Sequence, residues 1–202
     1  MLDGELTFSL GREGLRTGVP AGGFVAVPPN VVHSFVNEGP ADTHFLNFHA
    51  PDGGFAAFMR AARDGDELGF DNLDPPPDGG RPPSEAIVTG PGKGERLKRD
   101  NRIALLKGVL PDICFVEFLF DGPFDGPEVH HHESQVDSFW VLEGELEITL
   151  EDSVHRAGPG TLASVPCGVR HTFSNSRDTK VRVLNVHTPD EGFGDFLRRI
   201  SR

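Results

Sequence analysis

Three histidines stand in a row at His130, His131 and His132, and a carboxylate, Asp137, follows five positions later. A further histidine, His171, comes just after a Pro166-Cys167-Gly168 turn. On an extended chain, residues two apart share a face. His130 and His132 are therefore expected to point one way, and His131 the other way into solvent. A bend through Glu133-Ser134-Gln135-Val136 would let Asp137 join the pair. Three imidazoles and one carboxylate suit a single divalent transition metal: iron, manganese, nickel, copper or zinc. Four protein ligands on an octahedral ion leave two positions for water, substrate or dioxygen. The plain alternative is a set of surface or core histidines that bind nothing.

Positioning such a set requires rigid elements, and the chain reads as mostly strands. Short apolar or alternating runs occur at Glu5–Leu10, Phe24–Val27, Thr43–Phe48, Cys114–Phe120, Phe139–Leu142, Leu146–Leu150 and Val181–Val186, bounded by Gly, Pro and Asn. Many short strands at this spacing predict a sandwich or barrel. By the same alternation Phe139 shares the face of Asp137, and Trp140 faces away. The chain also repeats itself. LDGELTFSL (2–10) resembles LEGELEITL (142–150), GGFVAVPPNVVHSFVN (22–37) resembles GTLASVPCGVRHTFSN (160–175), and FLNFHAPDGGFAAFMR (45–60) resembles VLNVHTPDEGFGDFLR (183–198). One offset relates His33 to His171, Asn47 to Asn185 and Phe55 to Phe193. Each copy is expected to close with a short helix. In the second, Thr188 reads as the N-cap, Pro189 as the first helical residue and Glu191 as the reciprocal cap. In the first, Ala50 offers no capping oxygen. DGDELGFDNLDPPPDGGRPPS (64–84) reads as a surface linker.

Two spaced patterns then stand out. Gly160, Pro166, Gly168, His171 and Asn175 follow G-(x5)-P-x-G-(x2)-H-(x3)-N, and His130, His132, Asp137 and Gly144 nearly complete G-(x5)-H-x-H-(x3–4)-E-(x6)-G. The sequence resembles the cupin superfamily, whose small barrels carry these two motifs. The resemblance covers both repeats and implies an all-β fold, a double-stranded β-helix or jelly-roll barrel, in two copies. It also implies a metal held by His130, His132, Asp137 and His171. Asp137 stands where the family has Glu and is one methylene shorter, so it ligates directly if the backbone moves in, acts through a water, or serves instead as a proton acceptor. Glu133 fits the position less well. The first copy keeps only the second motif, through Gly22, Pro28, His33 and Asn37. It is expected to be incomplete, with the strands for its paired histidines lying before Met1. Residues 84–107 or a second subunit in a homodimer would then cover the open edge. The expected organisation is a partial barrel at 1–63, a linker at 64–94 and a metal-bearing barrel at 95–202.

The resemblance admits a quercetinase-like dioxygenase acting on a small organic substrate. The alternatives are a non-catalytic small-molecule or metal sensor, and a metal-dependent isomerase or hydrolase. Composition narrows the partners. The chain has 202 residues with a net charge of −12, 37% hydrophobic and 25% charged, which fits a globular protein. That charge repels phosphates, so neither nucleic acid nor an anionic membrane is an expected partner. Cys114 and Cys167 are the only cysteines, too few for a disulfide framework, which fits a reducing cytoplasm. The N-terminus lacks the features of a signal peptide. His44, His49, His155 and His187 are expected to play structural roles.

Overall fold

A computed structural model of the chain describes residues 1–74 and 76–201. It divides into two compact units, Met1–Gly92 and Lys93–Arg202. Both are mostly β. Among the described residues no helix is long and apolar enough to cross a membrane.

The first unit contains β1 (Glu5–Leu10), β2 (Leu15–Pro20), β3 (Phe24–Ala26), β4 (His33–Val36), α1 (Phe55–Asp64) and β5 (Ile87–Thr89). Three strands form an antiparallel sheet in the order β2-β1-β4, with Leu10 opposite His33. β5 lies within the stretch read as linker, yet it pairs with β3 through Val25 and Val88. The run Thr43–Phe48 forms no strand. Only His44 makes a bridge, to Asp3. A strand is defined by its partners, and this run finds no ladder among the described residues.

The second unit contains β6 (Glu95–Arg99), β7 (Arg102–Leu110), β8 (Ile113–Phe120), β9 (Val136–Glu143), β10 (Leu146–Leu150), β11 (Ser153–Ala157), β12 (Leu162–Val165), β13 (His171–Ser174), β14 (Val181–Thr188) and α2 (Phe193–Ile200). A six-stranded sheet runs β12-β9-β14-β8-β7-β6, and a three-stranded sheet runs β11-β10-β13. The inward positions of β8, β9, β10 and β14, among them Val116, Phe118, Phe139, Val141, Leu146 and Val183, form one buried core. Burying each such side chain contributes about 1.5–3 kcal/mol. Phe120, Phe124 and Phe173 extend it as a ring cluster, with Phe120 stacked on Phe124 at 3.6 Å. The turn between β9 and β10 depends on Gly144. Its φ is +77°, and a Cβ there would lie 2.1 Å from the Lys180 carbonyl oxygen, so no other residue fits without moving the strand.

Fine detail recurs between the units. β2-β1-β4 and β11-β10-β13 have the same order, and Leu150 faces His171 as Leu10 faces His33. Asn37 donates to Ala41 O and accepts from Gly39 N, as Asn175 donates to Thr179 O and accepts from Arg177 N.

Both helices start later than the sequence suggests. Thr188 does not cap α2, and Pro189 lies before it. The N-cap is Gly192 in a left-handed conformation with no side-chain cap of its own. Asp190 takes the role instead, accepting from Gly192 N at 3.1 Å and Gly194 N at 3.0 Å. Asp52 does the same for α1, accepting from Gly54 N and Ala56 N. One carboxylate thus satisfies two of the amide groups that a helix start leaves unpaired.

Candidate metal centre

The two motifs are joined through their backbones. His130 N donates to His171 O at 3.0 Å and His171 N donates to His130 O at 2.7 Å. Gly168 N, in the turn of the second motif, donates to His132 O at 2.8 Å. The second motif's terminal residue, Asn175, exchanges backbone bonds with Phe124 and donates its side-chain amide to Gly122 O. The motif residues that carry no candidate donor therefore hold the loop 122–132 against the start of β13.

That lacing brings His130, His132 and His171 together, with donor atoms within 4.8 Å of one another. His130 is a single bridge residue and not part of a regular strand, so it is the loop that aims it. His130 Nδ1 lies 2.9 Å from Glu128 O, and His171 Nδ1 lies 3.0 Å from Val169 O. A ring whose Nδ1–H is given to a carbonyl is fixed in orientation and presents Nε2 inward. His33 makes the matching contact to Val31 O at 2.9 Å. Among the described residues, though, the first unit brings no group of three donors together.

Asp137, at the start of β9, is 2% exposed and lies at the centre of this group. Its Oδ2 is 3.2 Å from His171 Nε2 and 3.9 Å from His132 Nε2. Its Oδ1 accepts from Asn185 Nδ2 and lies 3.2 Å from His187 Nε2. The aspartate thus reaches the imidazoles despite its short side chain. Glu133 is exposed and belongs to neither donor group. His131 is exposed, as its position predicts. Phe139 lies on the inward face and Trp140 on the other.

His187, expected to be structural, lies in the same cluster. It belongs to a second donor group, His132, Asp137 and His187, also within 4.8 Å. It is opposite Asp137 in the β14–β9 ladder and stacks on Phe193 of α2, at 3.6 Å and 13°. A period-two reading of Val181–His187 places it on the same inward face as Asn185, which is the signal that could have found it. Its counterpart His49 is exposed but likewise stacks on Phe55, at 3.9 Å.

Burial sets most of the electrostatics. It pushes the His187 pKa down to about 4, against the pull of Asp137, and also holds His132 below the ordinary histidine value. Burial acts on His171 in the same direction. There the Asp137 carboxylate and the Val169 carbonyl outweigh it, and the pKa is raised. Burial thus favours the neutral form of these two imidazoles, the state in which a histidine ligates a metal.

The residues fit a divalent cation. His132 Nε2 is buried and has no hydrogen-bond partner, a costly state for a polar atom. The other donors are nitrogen and carboxylate oxygen, which suit first-row transition metals. The half-buried His130 and His132 lie on the solvent side, and the buried His171, Asp137 and His187 on the inner side.

Residues 122–187 match the family model described as Cupin domain. Similar solved structures include KdgF from Halomonas sp., 22% identical over 47% of this chain and 86% of that one, with a TM-score of 0.43. An RmlC-like cupin from Shewanella frigidimarina is 21% identical over 52% and 94%, with a TM-score of 0.46. The cupin domain of Schizosaccharomyces pombe Cnp3 is 19% identical over 57% and 82%, with a TM-score of 0.45. No curated protein matches the chain.

Proposed function

We propose that the second unit, which contains the cupin domain, holds one divalent transition metal through His130, His132, His171 and one oxygen of Asp137, and acts there on a small organic substrate. The observation that carries this reading is the buried, unpartnered His132 Nε2 beside two imidazoles whose Nδ1 atoms are committed to backbone carbonyls. A bound cation would supply Lewis acidity, polarising a substrate oxygen or activating dioxygen or water. His130, His132 and His171 would hold it, and the Asp137 carboxylate would balance its charge. The Phe124, Phe139 and Phe173 rings fill the barrel interior, so the substrate is placed at the solvent side, over His130 and His132.

In this reading the reaction is a quercetinase-like dioxygenation of an enol or catechol-like compound. A second reading, metal-assisted isomerisation or hydrolysis, is favoured by the contact of Asp137 Oδ2 with His171 Nε2, which provides a carboxylate for proton transfer. We also read the chain as two copies of one unit, the first acting as scaffold. The matching sheet orders and asparagine bonds support this.

The test begins with metal analysis of protein purified without added metal, followed by oxygen uptake over a flavonol and diketone panel. One equivalent of transition metal, lost in His132→Ala, with oxygen consumption by the wild type, is the expected result. Metal without turnover on any substrate in either reaction class leaves a sensor, and absence of metal after loading ends the reading.

A further inference from the structure

Asp137 is short for its position, and the structure holds it in a particular way. Asn185 and His187 are successive inward residues of β14, and both approach the same oxygen, Oδ1. Asn185 Nδ2 also lies 3.2 Å from Ser138 O, so its amide links the β9 backbone to the carboxylate. The His187 ring is held flat against Phe193 at 3.6 Å. Asn185, His187 and Asp137 are all 2% exposed or less, so water does not compete for these contacts. A carboxylate oxygen has room for about two donors. Asn185 donates to Oδ1 and the His187 ring nitrogen stands 3.2 Å from it, which leaves Oδ2 as the oxygen facing His171 and His132.

We infer that Asn185 and His187 are positioning residues that clamp Oδ1 of Asp137 and so present Oδ2 alone to the His130, His132 and His171 nitrogens. This rests on the reading of that set as a metal centre. Asp137 is then a one-oxygen ligand, and the clamp offsets the methylene that a glutamate would have supplied. His187 acts through Asp137 and does not itself ligate, although it also belongs to a possible donor group with His132 and Asp137.

The full chain loaded with Co(II) tests this, read by its visible absorption spectrum and by its dissociation constant from chelator competition. Asn185→Ala and His187→Gln are expected to keep one equivalent of cobalt, weaken its binding by about tenfold to a hundredfold, and alter the spectrum. Asn185→Ser serves as a second variant should Asn185→Ala fold poorly by circular dichroism. Asn37→Ala is the control: it removes the equivalent asparagine of the first unit, which bonds to Ala41 O and Gly39 N and not to Asp137. Its spectrum should match the wild type. Adding Asp137→Glu to Asn185→Ala should recover affinity, because the longer side chain reaches unaided. Wild-type spectrum and affinity in both clamp variants overturn the inference alone. So does complete loss of cobalt in His187→Gln, equal to that in His132→Ala, since His187 would then be a ligand. A wild type that binds no cobalt overturns the metal reading as well.

Discussion

His130 and His171 exchange both of their backbone hydrogen bonds, at 3.0 and 2.7 Å, although forty residues of chain separate them. The centre is therefore assembled by the fold before any ligand arrives. A cation that binds only the folded state should stabilise it by about 2.7 kcal/mol at a hundredfold excess over Kd. Thermal melts with cation and with chelator should differ by several degrees in the wild type and coincide in His132→Ala. The far-ultraviolet dichroism should be the same in both states.

Cation binding should also release a proton. The contact of His171 Nε2 with Asp137 helps raise the His171 pKa above the ordinary histidine value, and a ligating imidazole must be neutral. Apparent affinity should therefore fall as the pH drops. Titration calorimetry in two buffers of different ionisation enthalpy should give different heats below the His171 pKa and equal heats well above it.

His187 predicts the acid stability of the metal-free protein. Its pKa falls to about 4 on folding, from an unfolded value of about 6.5. Between these values the unfolded chain binds the extra proton, so stability is fully present above pH 6.5 and is lost as the pH falls toward 4. The contribution is up to roughly 3 kcal/mol, partly offset by His171, whose shift has the opposite sign. Denaturant midpoints at pH 7 and pH 4.5 should lie closer together in His187→Gln than in the wild type.

Phe139 supports the floor of the centre. It is fully buried, two residues from Asp137, with its ring 5.0 Å from that of Phe173. Phe139→Ala should cost about 3–5 kcal/mol, measured by denaturant unfolding, and Phe139→Leu clearly less. The Ala variant should also bind metal more weakly, because the strand that carries Asp137 loses its packing.

Away from the centre, Glu117 lies 4% exposed between Lys107 Nζ at 3.0 Å and Arg182 Nε at 2.6 Å. Removing one member of a buried ionic group leaves the rest uncompensated, so Glu117→Ala should cost about 3–5 kcal/mol. Burial would raise the Glu117 pKa, but the bonds from Arg182 and Lys107 outweigh it and hold the pKa down. That stability is present above the unfolded carboxylate pKa and should be lost in acid, as a steeper loss of wild-type stability than in Glu117→Gln.

Much of this was legible in the residues alone. The alternation of apolar side chains set the β class, and two spaced motifs marked His130, His132, Asp137 and His171, because ligand spacing on short elements is a local property. What was not legible depended on pairing between distant segments. Thr43–Phe48 and Val181–Val186 have the same pattern, but only the second has β8 and β9 beside it and becomes a strand. His49 and His187 occupy equivalent positions, yet only His187 meets a carboxylate, because β14 lies next to β9. The reach of Asp137 was likewise a question of partners. Sequence determined which side chains carry donors and on what period they recur. Tertiary structure decided which of them meet, since a hydrogen bond or a shared cation needs atoms within a few ångströms, and only the packed sheets bring them that close.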